Sequence, residues 1–287
     1  MARRNNQGRT GSSQKPQSAT PPPPAATRSD DSFLSFVAPT EFIEIPSRGL
    51  LYEEDSPLAG VNAIEIRHMT AKEEDILTSE TYLRKGIAVD RLLQSILVDQ
   101  TIKVDDLLIG DKNALIVGAR VTGFGADYHT SVTCPNCTAV IESEFDLDTV
   151  QLKTLEETPD GITPTGPRTF SFTLPTTGFT VEVRLLTGRD ERVFAEKTEK
   201  KKKLKLPSSI TTDLLKTIIV SVEEHTDAPT ISKAVDTLPI KDSTHLKRTY
   251  ETLIPNVDLT HDFSCQECSY DGRVNVPLTA DFFWPNR

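Results

Sequence analysis

The sequence predicts an α+β protein, and three observations lead to that class. Apolar residues recur at helical spacing between residues 70 and 123 and again after residue 188. Residues 128–134, 138–147 and 170–185 instead have the pattern of antiparallel strands. The four cysteines form two distant Cys-x-x-Cys pairs, each placed where two predicted strands meet. Together these patterns favour helices combined with strand hairpins in one chain.

Length, composition and charge restrict what such a protein does. The 287 residues suffice for about two compact units, and an apolar share of 37% is enough for a core. Residues 30–287 carry 27 basic and 42 acidic side chains, a net charge of −15, which argues against generic binding to nucleic acid or anionic membranes. No apolar run approaches the ~20 residues of a membrane span, and the N-terminus lacks a signal-peptide pattern. We therefore expect a reducing cytoplasm, where cysteines need a role other than disulfides.

Residues 1–32 are predicted to be a disordered, proline-rich tail. They contain no Val, Ile, Leu, Phe, Tyr or Trp, and residues 21–24 are four consecutive prolines. Ordering a backbone costs about 1–2 kcal/mol per residue, and this segment has little to bury in return. The functional alternative is a proline-rich peptide that docks on a partner.

Residues 33–126 are predicted to form a helical N-terminal unit. Short extended segments at 42–46 and 61–67 flank a turn, and Thr70 and Glu73 then have capping-box spacing at the start of a first helix. A second helix is predicted over 87–98, with Val89, Leu92, Leu93, Ile96 and Leu97 on one face. A third is predicted from Asp111, as its N-cap, to a stop at Gly123.

Residues 127–147 and 259–287 are predicted to form one β module that binds a metal. Cys134-Pro-Asn-Cys137 joins its first two strands, and Cys265-Gln-Glu-Cys268 joins a second pair. A tight turn points both sulfurs of a pair to the same side, and two such pairs facing each other offer the four thiolates of a closed structural zinc site. The predicted cofactor is therefore structural Zn²⁺, with Cys134, Cys137, Cys265 and Cys268 as its ligands.

Other roles for the cysteines remain open at this point. Disulfides, a thioredoxin-like redox pair and unpaired thiols are the alternatives. The gap between the pairs exceeds the ~15–20 residues of a compact zinc ribbon, and it requires that the intervening chain be an insertion that returns to its starting point. His129 and His261 precede the two pairs and are interpreted as ordinary strand histidines.

Residues 148–258 are predicted to be that insertion, made of a hairpin and helices. A polar linker leads to strands that alternate from Phe170 to Leu185 around a turn at 175–178. After Gly188 we expect four helices: a charged one at 190–203, an amphipathic one at 214–222, a short one at 231–238 and a last one capped near Asp242 or Ser243.

Weaker signals concern contacts and catalysis. Lys200, Lys201, Lys202 and Lys203, with Lys197 and Lys205, form the only basic cluster, interpreted as a solvated helix end or else a contact with an acidic partner or nucleic acid. Helix capping explains Asp105, Asp106 and Asp111 better than a cation site does. Phe282, Phe283 and Trp284 either anchor a partner or pack over the metal hairpin. No nucleophile elbow, phosphate-binding loop or His-Glu-x-x-His helix is present in the sequence, so we expect no enzyme.

Several sequence segments, taken in their order along the chain, resemble those of a known family. The resemblance runs through Ile45-Pro-Ser-Arg-Gly-Leu-Leu-Tyr52, Arg67-His-Met-Thr-Ala-Lys-Glu-Glu74, residues 86–93, 110–120 and 128–137, Phe263-Ser-Cys-Gln-Glu-Cys268 and Asp281-Phe-Phe-Trp-Pro285. It covers most of residues 40–287. The chain is similar to the baseplate hub assembly proteins of T-even-like contractile-tailed bacteriophages.

The resemblance implies a role in phage morphogenesis and brings no catalytic residues. It implies an assembly factor or chaperone that contacts baseplate hub or tape-measure proteins in the host cytoplasm, with no membrane involved. One alternative is a permanent structural subunit of the virion tail baseplate. Another is a nucleic-acid-binding zinc-ribbon protein, whose binding would weaken steeply with salt. The direct partner and the oligomeric state are not assigned.

Overall fold

A computed structural model describes residues 38–276 and 280–283 of the chain, and its fold is α+β, as predicted. The described residues form eight α-helices and twelve β-strands, and all the strand pairs are antiparallel. None of the described helices is long and apolar enough to cross a membrane. The predicted tail, residues 1–32, lies outside the described residues.

Two paired strands and four helices make up the first part of the fold. The strands are β1 (Thr40–Glu44) and β2 (Ala63–Arg67), and the helices are α1 (Ala71–Thr78), α2 (Glu80–Lys85), α3 (Ala88–Ile96) and α4 (Ile109–Phe124). The predicted capping box of Thr70 and Glu73 is confirmed at the start of α1. Leu92, Leu93 and Ile96 bury the apolar face of α3 as expected. The short helix α2 was not predicted.

Helix α4 begins and ends differently from the prediction. Leu108 is its N-cap, and Asp111 lies in the first turn, where its carboxylate accepts hydrogen bonds from Ser47 and Tyr52. The N-cap prediction for Asp111 was wrong because these partners lie about sixty positions earlier in the chain. The helix also passes Gly123 and ends at Phe124, and its C-cap Gly125 has a φ of 85°, which suits a residue without a side chain.

Six strands build the part of the fold that carries the cysteines. They form three antiparallel pairs: β3 (Asp127–Thr133) with β4 (Val140–Asp146), β5 (Gln151–Lys153) with β10 (Asn256–Asp258), and β11 (Thr260–Ser264) with β12 (Asp271–Asn275). The two predicted Cys-x-x-Cys hairpins are therefore confirmed. Strand β5 corrects the predicted polar linker, and its pairing with β10 brings the chain back beside its starting point.

The intervening chain forms a four-stranded sheet with four helices. The sheet order is β6-β7-β8-β9, with β6 (Ile162–Gly166), β7 (Thr169–Thr173), β8 (Thr180–Arg184) and β9 (Ile219–Val222). The helices are α5 (Gly188–Lys203), α6 (Ile210–Ile218), α7 (Ala228–Thr237) and α8 (Ile240–Leu253). The hairpin of β7 and β8 is confirmed. Strand β6, also within the predicted linker, lies at the edge of the sheet, where its proline is tolerated.

Two helix limits in this part were wrong. The predicted helix over 214–222 ends at Ile218, because the β-branched residues that follow pair with β8 as strand β9. Helix α8 begins at Ile240, so neither Asp242 nor Ser243 is its cap. The buried Asp242 carboxylate instead accepts hydrogen bonds from the amides of Thr176 and Thr177 in the β7–β8 turn.

Within the described part of the chain, the buried apolar side chains form two clusters. The first joins β1, β2, α1, α3 and α4 to the cysteine-bearing strands, with members such as Ile45, Leu115, Tyr128, Phe145 and Phe263. The second lies between the four-stranded sheet and the helices that follow it, with members such as Phe170, Val183, Leu215, Leu246 and Leu253. The cysteine strands are thus held by the same core as the N-terminal helices.

Candidate metal centre

Two hairpin turns with the same hydrogen-bond pattern carry the four cysteines. In the first, the Cys134 amide donates to the Ala139 carbonyl over 2.8 Å, and the Thr138 amide donates to the Cys134 carbonyl over 3.0 Å. In the second, the Cys265 amide donates to the Tyr270 carbonyl over 2.8 Å, and the Ser269 amide donates to the Cys265 carbonyl over 3.0 Å. The two turns are therefore equivalent in backbone geometry.

The residue after the second cysteine has the same left-handed conformation in both turns. The φ angle is 60° at Thr138 and 54° at Ser269. Residues other than glycine rarely adopt such angles, because their Cβ crowds the backbone. The left-handed conformation costs steric energy in each turn, but it leads the chain into the returning strand with both sulfurs on one side.

The four sulfurs form one cluster. All four lie within 4.8 Å of one another, and Cys134–Cys268 and Cys137–Cys265 are each separated by 3.7 Å between sulfurs. A disulfide needs a sulfur–sulfur distance of about 2.0 Å, so none of the four is oxidised in this structure. Thiolates at about 2.3 Å from a tetrahedral ion would stand about 3.8 Å apart. The donor set therefore fits one tetrahedral metal ion.

Burial and hydrogen bonding differ among the four thiols. Cys134 and Cys265, the first of each pair, are buried, and Cys137 and Cys268 are partly exposed. The Asn136 amide donates to the Cys268 sulfur over 3.5 Å and, with the neighbouring thiols, lowers the pKa of Cys268 to about 6. The amide of Ala139 lowers the pKa of Cys137, but the neighbouring thiols and desolvation raise it by more, to about 12. Metal binding to such a set releases the protons that remain on the thiols.

The two nearby histidines lie outside the sulfur cluster. The exposed His129 ring is 3.7 Å from the Glu144 carboxylate across the β3–β4 pair. The His261 ring packs edge-on against Phe145, with ring centroids 5.3 Å apart. The arrangement matches the interpretation of both as ordinary strand histidines.

The remaining residues that the sequence singled out lie in three separate places. Phe282 is buried against Tyr128, with ring centroids 4.9 Å apart, so this aromatic packs inside the fold, and Trp284 lies outside the described residues. Asp105 and Asp106 pair with arginines of α5 rather than capping a helix. The clustered lysines are at the C-terminal end of α5.

Two residues that sequence reasoning missed support this part of the fold. Arg120 is fully buried in α4 and donates to the backbone carbonyls of Gly125 and Asp127, which fixes the entry into β3. No sequence pattern distinguishes it from an exposed helix arginine. Asn136 donates a hydrogen bond to Cys268 of the other pair. Its position inside the first Cys-x-x-Cys pair was the sequence signal that could have indicated this contact.

Comparison with known proteins places the chain in a family. A family model described as T4 bacteriophage base plate protein matches residues 51–284, more than four fifths of the chain. No curated protein and no solved structure matches it. The match includes all four cysteines, the second buried cluster and most of the first, and it confirms the phage baseplate part of the resemblance. The chain therefore belongs to the T4 bacteriophage base plate protein family.

Proposed function

We propose that this chain is a non-catalytic assembly factor that helps to build the baseplate hub through contacts with hub or tape-measure proteins. The observation that carries the proposal is the family match over residues 51–284. The work of such a factor would be done in the host cytoplasm while the tail is assembled. A permanent subunit of the virion baseplate is the alternative that the same match supports.

The partners of the buried acidic groups support a role without chemistry. Glu73 accepts hydrogen bonds from Arg67, Ser95 and Thr70, and these lower its pKa in spite of desolvation. Asp242 is likewise bound by the β7–β8 turn. Perturbed carboxylates at a catalytic site face a cleft, whereas these hold neighbouring elements together.

We further propose that the four cysteines bind structural zinc. The sulfur distances fit a closed four-thiolate site, and no histidine or carboxylate of the described residues belongs to the cluster. Such a site has no open position for water or substrate, so the metal would stabilise the fold and carry out no reaction.

The proposal is tested in infected cells. A tagged chain is recovered during infection for identification of bound proteins, and purified mature virions are analysed by mass spectrometry. Recovery of hub or tape-measure proteins together with absence of the chain from virions is the expected result. Stoichiometric presence in virions would instead assign a permanent subunit, and recovery of no baseplate protein would contradict both roles.

A nucleic-acid-binding protein is the remaining alternative, and charge argues against it. Residues 30–287 have a net charge of −15, which repels a phosphate backbone at long range. The check is titration of a labelled DNA duplex and a labelled single strand at low salt. Binding that weakens steeply as salt rises would favour this alternative.

A further inference from the structure

The end of helix α5 forms an exposed surface that combines positive charge with apolar side chains. We define the basic tip as Lys200, Lys202, Lys203 and Lys205 with Leu204, Leu206 and Ile210. Leu204 is 70% exposed, Leu206 53% and Ile210 56%. Among the described residues, no carboxylate lies within ion-pair distance of these four lysines, whereas Lys201 between them pairs with Asp213.

The chain turns sharply at this tip and leaves a concavity beside it. The Lys205 and Leu206 amides donate to the carbonyls of Lys202 and Lys201, a helix ending in which glycine usually occupies the left-handed position. Here that position is Lys205, with a φ of 52°. A concavity of about 250 Å³ opens next to it, lined in part by Lys202, Leu206 and Ile210.

A complementary surface lies on the β3–β4 hairpin. We define the acidic hairpin face as the exposed side chains Asp127, Glu142, Glu144 and Asp146, with Val140 at its end. Asp127 and Asp146 are directly opposite each other in the strand register, an arrangement of like charges that destabilises a hairpin. No lysine or arginine nitrogen of the described chain lies within ion-pair distance of these four carboxylates.

We propose that the basic tip of one copy docks on the acidic hairpin face of a second copy. His129 is the only described basic side chain within ion-pair distance of the acidic hairpin face, no described lysine or arginine pairs with it, and no described carboxylate pairs with the four lysines of the tip. Each surface therefore carries the charge that the other needs. Val140 is 66% exposed and is the apolar group that would enter the concavity of the tip. Glu142, Glu144 and Asp146 lie on one face of their strand and span about 14 Å along it.

The contact joins two different surfaces of the chain. Copies related by a two-fold axis make it twice in one dimer, whereas copies related by any other rotation form a ring or an open chain. Seven residues at a helix end cover less than the ~800 Å² per partner of a stable interface, so the association is weak and salt-sensitive. The inference goes beyond the proposed function, since it concerns contacts between copies of the chain rather than contacts with other baseplate proteins.

Acidic protein is favoured over nucleic acid as the occupant of the tip. The tip offers aliphatic side chains and no aromatic ring on which a base could stack. The rest of the molecule is acidic, which opposes a nucleic acid at long range but supplies docking sites for the tip.

The test is a charge swap measured by sedimentation velocity on the full chain. The tip variant carries Lys202→Glu and Lys203→Glu, and the face variant carries Glu142→Lys and Glu144→Lys. At about 0.1 M salt the wild type self-associates, and at about 0.5 M it is monomeric. For each variant alone, the association constant falls at least tenfold. An equimolar mixture of the two regains it, because each variant surface again meets its opposite charge.

Controls separate docking from net charge and folding. Lys72→Glu with Lys241→Glu changes the net charge as much as the tip variant does at exposed sites elsewhere, and it leaves association unchanged. Circular dichroism checks that each variant is folded. A monomeric wild type at about 100 μM, variants that associate like the wild type, or a mixture without recovery would each overturn the proposal. A monomeric wild type whose tip binds a DNA duplex would overturn it as well and assign the tip to nucleic acid.

Discussion

Asp111 joins the segment around residue 50 to the first turn of helix α4. Its carboxylate accepts the Ser47 amide over 2.9 Å and the Ser47 and Tyr52 hydroxyls over 2.6 Å each. Tyr52 in turn accepts the Leu108 amide, one of the free donors at the start of the helix. Burial raises the pKa of Asp111, although the hydrogen bonds from Ser47 and Tyr52 counteract it. The sequence pattern predicts that Asp111 is a local helix cap, but in the structure this side chain makes a long-range tertiary contact.

Glu73 makes the stability of the fold depend on pH in the acid range. Hydrogen bonds from Arg67, Ser95 and Thr70 outweigh desolvation and hold its pKa below the ordinary value. A carboxyl group whose pKa is lower in the folded state than in the unfolded state stabilises the fold at pH values above the unfolded pKa of about 4.3. This contribution to stability is lost as the pH falls below that value. We expect Glu73→Gln to lower the free energy of unfolding by about 2–3 kcal/mol at pH 7.

The pH profile of urea unfolding checks this expectation. The difference between the wild type and Glu73→Gln should shrink as pH falls below about 4.3. Glu80→Gln is the matched control, since its ion pair with Arg84 is exposed on both sides and contributes little. A difference that stays constant down to pH 3 would show that Glu73 acts by shape rather than by charge.

Gly110 determines how closely helix α4 approaches the chain that returns to the cysteines. A Cβ at this position would lie 1.9 Å from the Pro255 carbonyl oxygen and 2.9 Å from the Asn256 Cα, both backbone atoms. Backbone cannot move aside cheaply, so Gly110→Ala should cost at least about 2 kcal/mol of stability.

Gly123→Ala on the same helix is the control for Gly110→Ala. Its Cβ would meet only the end of the flexible Met69 side chain, and alanine favours a helix by about 1 kcal/mol over glycine. Thermal unfolding of both variants should therefore show a large loss for Gly110→Ala and little change for Gly123→Ala. Equal losses of stability in the two variants would contradict the close approach of helix α4 to the backbone of Pro255 and Asn256.

At the scale of elements, the two cysteine turns decide whether the C-terminal strands stay attached. Structural zinc in peptides binds with an apparent ~10–16 kcal/mol near neutral pH, and a whole domain is stable by only about 5–15 kcal/mol. We expect Cys265→Ser to release β11 and β12 and to abolish metal binding. The measurements are zinc content by elemental analysis and limited proteolysis.

Glu267→Ser in the same turn is the control for Cys265→Ser, because this exposed side chain is not part of the sulfur cluster. It should leave one zinc per chain and normal protease resistance. A wild type without zinc, together with unchanged protease resistance in Cys265→Ser, would contradict the metal centre.

The elements that the sequence predicted well are those whose pattern is local. The β7–β8 hairpin alternates over its whole length, and each cysteine turn lies within its own hairpin, so short-range spacing was enough. Strands β5 and β10 have three residues each and exist because they pair with each other about a hundred positions apart. No periodicity can appear over three residues, so these strands could not be predicted.

At the scale of the whole molecule, charged side chains link the two apolar clusters. Lys112 of α4 lies between the Asp90 carboxylate at 2.6 Å and the Glu191 carboxylate of α5 at 2.7 Å. Arg189 and Arg192 of α5 extend the junction to Asp106 and Asp105. These ion pairs add to the apolar contacts between the two parts of the fold, in which Leu51, Tyr52 and Ile109 pack against the second cluster.

Lys112 is the one buried cation of that junction, with 9% of its side chain exposed, so its removal should be costly. Lys112→Met keeps the apolar stem but leaves Asp90, itself 18% exposed, without a counter-charge, and we expect a loss of about 2–4 kcal/mol. Glu191→Gln should cost less than about 1 kcal/mol, because Glu191 is half exposed. Urea unfolding measures both, and adding Asp90→Asn to Lys112→Met should recover part of the loss by removing the lone charge. If Lys112→Met cost no more than Glu191→Gln, packing rather than charge would join the two clusters.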